Sequence, residues 1–186
     1  MSLPADYHAH TPLCRHATGE PAELAAQAVR LGLRELGFAD HAPMPRDDFD
    51  DWRMRAVDLE RYVAGVQSAR RGYPNLAIKL GLEVDYLPGQ EDWIRDLAGR
   101  HPWDYFIGSV HYVSDDWAID NPAEIARWKT REPLEVWTAY FERLTLAELE
   151  KFSSVPTLTD AQKKAISDLT EQVKEAIKVR SAAPPQ

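Results

Sequence analysis

The sequence predicts an α/β fold built on a parallel sheet or barrel. Short apolar runs alternate with longer stretches whose apolar residues recur at helical spacing, and loops rich in proline and acid, such as Ala42 to Asp51, separate them. Taken in order, residues 4–10 read as a first strand. Pro21 sits where a helix would start, and Leu24, Ala25, Ala28 and Val29 follow at helical spacing up to Gly32, a stop signal. Leu33 to Ala39 is a second strand. Leu59, Tyr62, Val63 and Val66 form an i, i+3, i+4, i+7 stripe, a second helix. Leu76 to Tyr86 is a third strand, residues 90–99 a short helix, and Tyr105 to Tyr112 a fourth strand. Trp137, Tyr140, Phe141 and Leu144 mark another amphipathic helix.

The end of the chain reads differently. Ser153-Ser154-Val155-Pro156 is a break, and Thr159 with Gln162 makes a capping box. Ile166, Leu169, Val173, Ala176 and Ile177 then repeat at helical spacing, and Ser181 to Gln186 read as a loose end. The chain therefore divides into an α/β domain over 1–152 and a helical tail over 153–186. The tail's apolar seam needs cover, either by docking on the body or by pairing with a second copy as a homo-oligomer.

Bulk composition narrows the function. The 186 residues carry a formal net charge of −8 with no run of lysine or arginine. That excludes a broad footprint for nucleic acid or for an anionic membrane surface. It leaves an anionic substrate open, because bound cations reverse the local field. The lone Cys14 rules out an internal disulfide. The first residues have neither a basic nor an apolar leader segment, and no stretch approaches 18 apolar residues. The expectation is a cytoplasmic protein with no membrane partner.

The histidines carry the chemistry. His8 and His10 stand at i and i+2, so on a strand they project from one face and can converge on one metal ion. His16 follows in a loop, His41 ends the second strand, Glu83 lies in the third, and His111 ends the fourth. Each predicted strand thus delivers an imidazole or carboxylate near its carboxyl end, where open α/β sheets and barrels build their sites. Imidazole with carboxylate suits zinc, iron or manganese. Glu83 is costly to bury unpaired; it either meets a lysine or arginine or bridges two cations. Asp40 either orients a ligand or simply ends its strand. Cys14 reads as an inert buried thiol and His101, in a turn, as a solvated surface residue.

Four segments resemble the PHP (polymerase and histidinol phosphatase) family, and in particular its histidinol-phosphatases. They are Asp6-Tyr7-His8-Ala9-His10-Thr11-Pro12-Leu13-Cys14-Arg15-His16, Phe38-Ala39-Asp40-His41-Ala42-Pro43-Met44, Gly81-Leu82-Glu83-Val84-Asp85-Tyr86 and Ile107-Gly108-Ser109-Val110-His111-Tyr112. The resemblance covers residues 5 to about 145, and it implies a distorted (β/α)7 TIM-like barrel with a trinuclear metal site. It also implies that His8, His10, His16, His41, Glu83 and His111 are metal ligands, with Glu83 bridging and both Glu83 and His111 serving catalysis. The implied substrate is a phosphomonoester, histidinol phosphate of histidine biosynthesis. The implied cofactors are divalent ions (zinc, manganese or iron, up to three), and the implied nucleophile is metal-activated water.

The family pattern continues beyond its fourth motif with a further histidine ligand and an Asp-x-His pair, whereas no histidine follows His111 here. The expected fold is therefore an incomplete barrel of the PHP type with an added C-terminal helix, carrying six residues of a larger ligand set. The alternative function is a non-catalytic PHP-like protein that binds metal or a partner. Arg53 and Arg55 follow an acidic loop and either approach the site mouth to hold substrate phosphate or are plain surface arginines.

Overall fold

The computed structural model describes residues 5–114, 116–153 and 157–182. The break expected at 154–156 and the loose end expected past 182 lie outside them. The chain forms two compact units, one holding residues up to Asp85 together with Gln90–Gly108, the other holding Tyr86–Gly89 and the chain from Ser109 onward.

In the first unit, strands and helices alternate as β1 (Ala5–Ala9), α1 (Pro21–Leu31), β2 (Glu35–His41), α2 (Leu59–Gly72), β3 (Ala77–Asp85), α3 (Glu91–Arg100) and β4 (Tyr105–Ser109). Short 3₁₀ turns, Pro12–Cys14 and Ala56–Asp58, precede α1 and α2. The sheet order is β1-β2-β3-β4, with β1–β2 and β2–β3 parallel. Helix α1 starts where the sequence places it: Pro21 fills the first turn, and Glu20 and Glu23 cap each other's backbone. It stops at Gly32, whose φ of 77° suits a residue without Cβ.

β2 and β3 read as nearly continuous apolar runs because both faces of a parallel sheet are covered. Phe38, Leu80 and Leu82 are buried with Ala25, Tyr62, Val66 and Leu97 from the three helices. Tyr62 on α2 donates its hydroxyl to the Gly81 carbonyl at 2.7 Å, which fastens helix to sheet. On the sheet, the Tyr105 ring lies across Gly37 and Gly81. A Cβ built at Gly81 would come within 2.7 Å of that ring. The Tyr105 hydroxyl lies 2.7 Å from the Tyr7 carbonyl oxygen and 3.0 Å from that of Phe38, so one side chain of β4 grips β1 and β2.

The second unit contains β5 (Tyr112–Ser114) and β6 (Trp117–Ala118), an antiparallel hairpin, then α4 (Ile125–Trp128), α5 (Pro133–Ser153) and α6 (Asp160–Ala182). The expected fourth strand is therefore cut in two. β4 ends at Ser109, and after Val110 and His111 the chain starts a hairpin with β6. There the His111 carbonyl accepts the Ile119 amide at 2.9 Å. The Ser114 hydroxyl and the Arg127 guanidinium both bond Asp116, closing the hairpin turn. A continuous apolar run hides such a break, because apolar residues serve both pieces.

The capping box at α6 forms: the Thr159 amide donates to Gln162 Oε1 at 2.9 Å and the Gln162 amide to Thr159 Oγ1 at 3.3 Å. α6 packs along α5, placing Val173 and Ile177 against a cluster containing Leu146, Tyr86 and Val110. Of the two covers expected for its seam, α5 of the same chain supplies one, while Leu169 and Val179 stay exposed. Among the described residues no helix is long and apolar enough to cross a membrane.

Candidate metal centre

The strand tips of the first unit bring their imidazoles together. His8 lies in β1, His10 one residue past it, and His41 ends β2, while Glu83 sits two residues before the end of β3. The β2–β3 register sets His41 directly beside Glu83. Glu83, 4% exposed, points Oε2 at three ring nitrogens: His8 Nε2 at 2.9 Å, His41 Nδ1 at 3.2 Å and His10 Nε2 at 3.4 Å. This buried carboxylate thus faces three imidazoles.

His10 is the hub. Its ring centroid lies 5.0 Å from that of His8, 5.2 Å from His16 and 4.7 Å from His41. The loop after β1 carries His16 back: Thr11 caps the 3₁₀ turn through its hydroxyl, and Arg15 takes a left-handed φ of 63°. His16 Nδ1 faces only acceptors, the Cys14 and Trp52 carbonyls at 2.9 and 3.0 Å, so it carries the proton. That leaves Nε2 with a free lone pair, the tautomer a metal ligand needs.

The donors of His10, His16 and His41 lie within 4.8 Å of one another, as do those of His8, His10 and Glu83. Two ligands 2.0–2.2 Å from a shared tetrahedral ion stand roughly 3.3–3.6 Å apart, close to the two longer spacings around Glu83. The buried Nδ1 of His10 has no hydrogen-bond partner among the described residues. Neutral imidazoles with one carboxylate are the donor set that zinc, iron or manganese takes. The residues present fit the ions expected.

Asp40 is fully buried behind the cluster. It accepts the Thr11 amide at 2.6 Å and the Thr11 hydroxyl, tying the β1 loop to β2. Burial pushes its carboxyl up to about 6, against the Thr11 hydrogen bonds that favour the carboxylate. Cys14 is wholly buried, with Sγ accepting the His41 amide at 3.0 Å. Burial and the neighbouring Asp40 charge both push its thiol up, so it is no nucleophile.

The other predicted residues each have surroundings of their own. His111 belongs to the second unit, between β4 and β5, with Nε2 3.8 Å from Asp120 Oδ2. Arg53 is neither a free arm nor a surface residue. It is 2% exposed and bonds Asp50 Oδ2 at 2.6 Å, the Ala42 carbonyl at 2.9 Å and Asp85 Oδ2 at 2.9 Å. Although burial opposes its charge, the Asp85 and Asp50 carboxylates hold its pKa above the ordinary value. Arg55 is exposed before the second 3₁₀ turn. His101 is not solvated as expected: its ring packs against Trp103 and Nε2 lies 3.0 Å from Glu60 Oε1.

Sequence reading missed Thr11, Asp50, Trp52 and Asp85 as parts of this neighbourhood. Asp85 had a usable signal, since i and i+2 on a strand share a face and Glu83 was already singled out. Asp50 had none, standing among Asp47, Asp48 and Asp51.

The family profile described as "PHP domain" matches residues 6–182. The chain belongs to the PHP domain family. Among its relatives, a probable histidinol-phosphatase of Deinococcus radiodurans is 42% identical over 137 residues, 73% of this chain and 52% of that one. The histidinol-phosphatase of Bacillus subtilis is 34% identical over 121 residues, 60% of this chain and 45% of that one. The chain spans about half the length of these curated relatives. A crystal structure from Listeria monocytogenes, described as a histidinol phosphatase, superposes with a TM-score of 0.61 at 26% identity, covering 94% of this chain and 76% of that one. The histidinol phosphate phosphatase of Lactococcus lactis, solved with zinc, L-histidinol and phosphate, gives 0.58 at 16% identity, over 94% and 70%. That last likeness speaks to the fold alone, an α/β fold of the same kind.

Proposed function

We propose that the chain is a metal-dependent phosphomonoester hydrolase of the histidinol-phosphatase type, acting on histidinol phosphate. The observation that carries this reading is the convergence of His8, His10 and His41 on one buried oxygen of Glu83, with His16 alongside. The relatives' names supply the substrate class.

In this reading His8, His10, His16, His41 and Glu83 hold divalent ions, and the family resemblance gives His111 a ligand's role. Bound ions would supply hydroxide from water at neutral pH and neutralise phosphate oxygens. The chain's own residues do the rest. Glu83 offers two oxygens from one rigid strand, so it can span two sites without moving. His16 is held in the ligating tautomer by the Cys14 and Trp52 carbonyls. Asp40 and Thr11 keep the His10 loop against β2. The barrel of the family is proposed for the strands on the same grounds, and a cytoplasmic location follows from a biosynthetic role.

Phosphate release from histidinol phosphate with zinc or manganese, abolished in Glu83→Ala, is the expected result. A chain that binds these metals but releases no phosphate would instead be the non-catalytic metal-binding protein. Absence of both binding and turnover would overturn the proposal.

A further inference from the structure

We infer that Arg53 is a positioning residue of the metal centre, whose single guanidinium ties the segments that carry His41 and Glu83 to the loop whose Trp52 carbonyl bonds His16. The inference rests on the reading of that cluster as a metal site. A buried arginine between two carboxylates is commonly a structural strut; what sets Arg53 apart is where its bonds land. Nη1 donates to the carbonyl of Ala42, the residue after His41. Nη2 donates to Asp85, two residues beyond Glu83 on the same strand face. Nε donates to Asp50, which holds the acidic loop in place.

The same loop reaches the other two imidazoles. The Arg53 guanidinium lies 4.4 Å from the Trp52 ring, and that ring packs edge-on against His41 at 4.6 Å. The Trp52 carbonyl receives the Nδ1 proton of His16. Arg15, beside His16, donates to the carbonyls of Arg53 and Asp50 at 3.0 and 3.1 Å. Of the three hydrogen-bond anchors of Arg53, Ala42 and Asp85 stand at most two residues from a ligand, and Asp50 fixes the loop whose Trp52 carbonyl bonds His16. Only a planar guanidinium presents donors in three fixed directions at once; a lysine ammonium keeps the charge but not the fork. The Coulombic pull of Asp50 and Asp85 on the guanidinium keeps the fork engaged, so it is not available to grip substrate phosphate.

The test uses the whole chain stripped of metal, with zinc titrated against a chromophoric chelator for wild type, Arg53→Lys and Asp85→Asn. Circular dichroism and the metal-free melting temperature report folding. Zinc bound about 10–100-fold more weakly by the folded variants, with an altered visible spectrum on cobalt(II) loading, is the expected result, the scale seen when outer-shell partners of ligands are lost. A strut without a positioning role would lower the melting temperature and leave the zinc affinity unchanged. Either variant, folded and holding zinc as tightly as wild type, overturns the inference, and Asp85→Asn carries the test should Arg53→Lys fail to fold. Wild-type protein that binds no zinc, manganese or cobalt refutes the metal reading itself, a separate result.

Discussion

Taking a carboxylate out of water costs several kcal/mol unless charge or hydrogen bonds replace the solvent, and Glu83 faces three imidazoles. Glu83→Gln keeps the volume and removes the charge. Zinc affinity in that variant should fall by more than about 100-fold, beyond the loss from an outer-shell change, as read by chelator competition. Cys14 offers the opposite case. Its folded pKa is raised, so the thiol stays protonated through pH 7–8 and the reactive thiolate is scarce. Native protein should therefore leave Cys14 unmodified by a thiol-reactive disulfide reagent over minutes, and denaturant should expose one thiol per chain. Rapid labelling of native protein would contradict its burial.

At the level of strands, the close approach of Tyr105 to the sheet explains why glycine stands at 37 and 81. Gly81→Ala would set a Cβ 2.7 Å from the ring, and the sheet backbone cannot retreat. The expected cost is about 1–3 kcal/mol, the range for overpacking, measured by denaturant unfolding. In a Tyr105→Ala background the same substitution should cost far less, so a double-mutant cycle isolates the clash. Equal costs in both backgrounds would show that some other contact sets the penalty. At α6, Thr159→Ala removes the hydroxyl that accepts the Gln162 amide and leaves the bond from its own backbone amide to Gln162 Oε1 in place. The loss should be about 0.5–2 kcal/mol, confined to that helix by hydrogen exchange.

For the molecule as a whole, metal and stability are linked by mass action. An ion that binds the folded chain alone stabilises it by about 2.7 kcal/mol at a hundredfold excess over its dissociation constant. Zinc should thus raise the melting temperature of chelator-treated protein and Glu83→Gln should abolish the rise. The sheet ends in β1 and β4 among the described residues, and unpaired parallel edges are a liability for solubility. The exposed Leu169 and Val179 on α6 leave room for the homo-oligomer proposed from the sequence.

The order of strands and helices over residues 5–105 and the candidate residues of the site were legible in the sequence by itself. Helical and strand periodicities are local, Pro21, Gly32 and the Thr159–Gln162 pair mark their own boundaries, and histidines recurring at strand ends stand out against composition. What only the tertiary structure decided are facts about partners far apart in the chain. Glu83 faces three imidazoles, Arg53 turned from a candidate phosphate arm into a buried clasp, and the run over 105–112 split at Val110 and His111. The physical reason is the same in each: a charge or a backbone amide is satisfied by whatever the fold brings within about 3 Å, and linear spacing holds no record of that meeting.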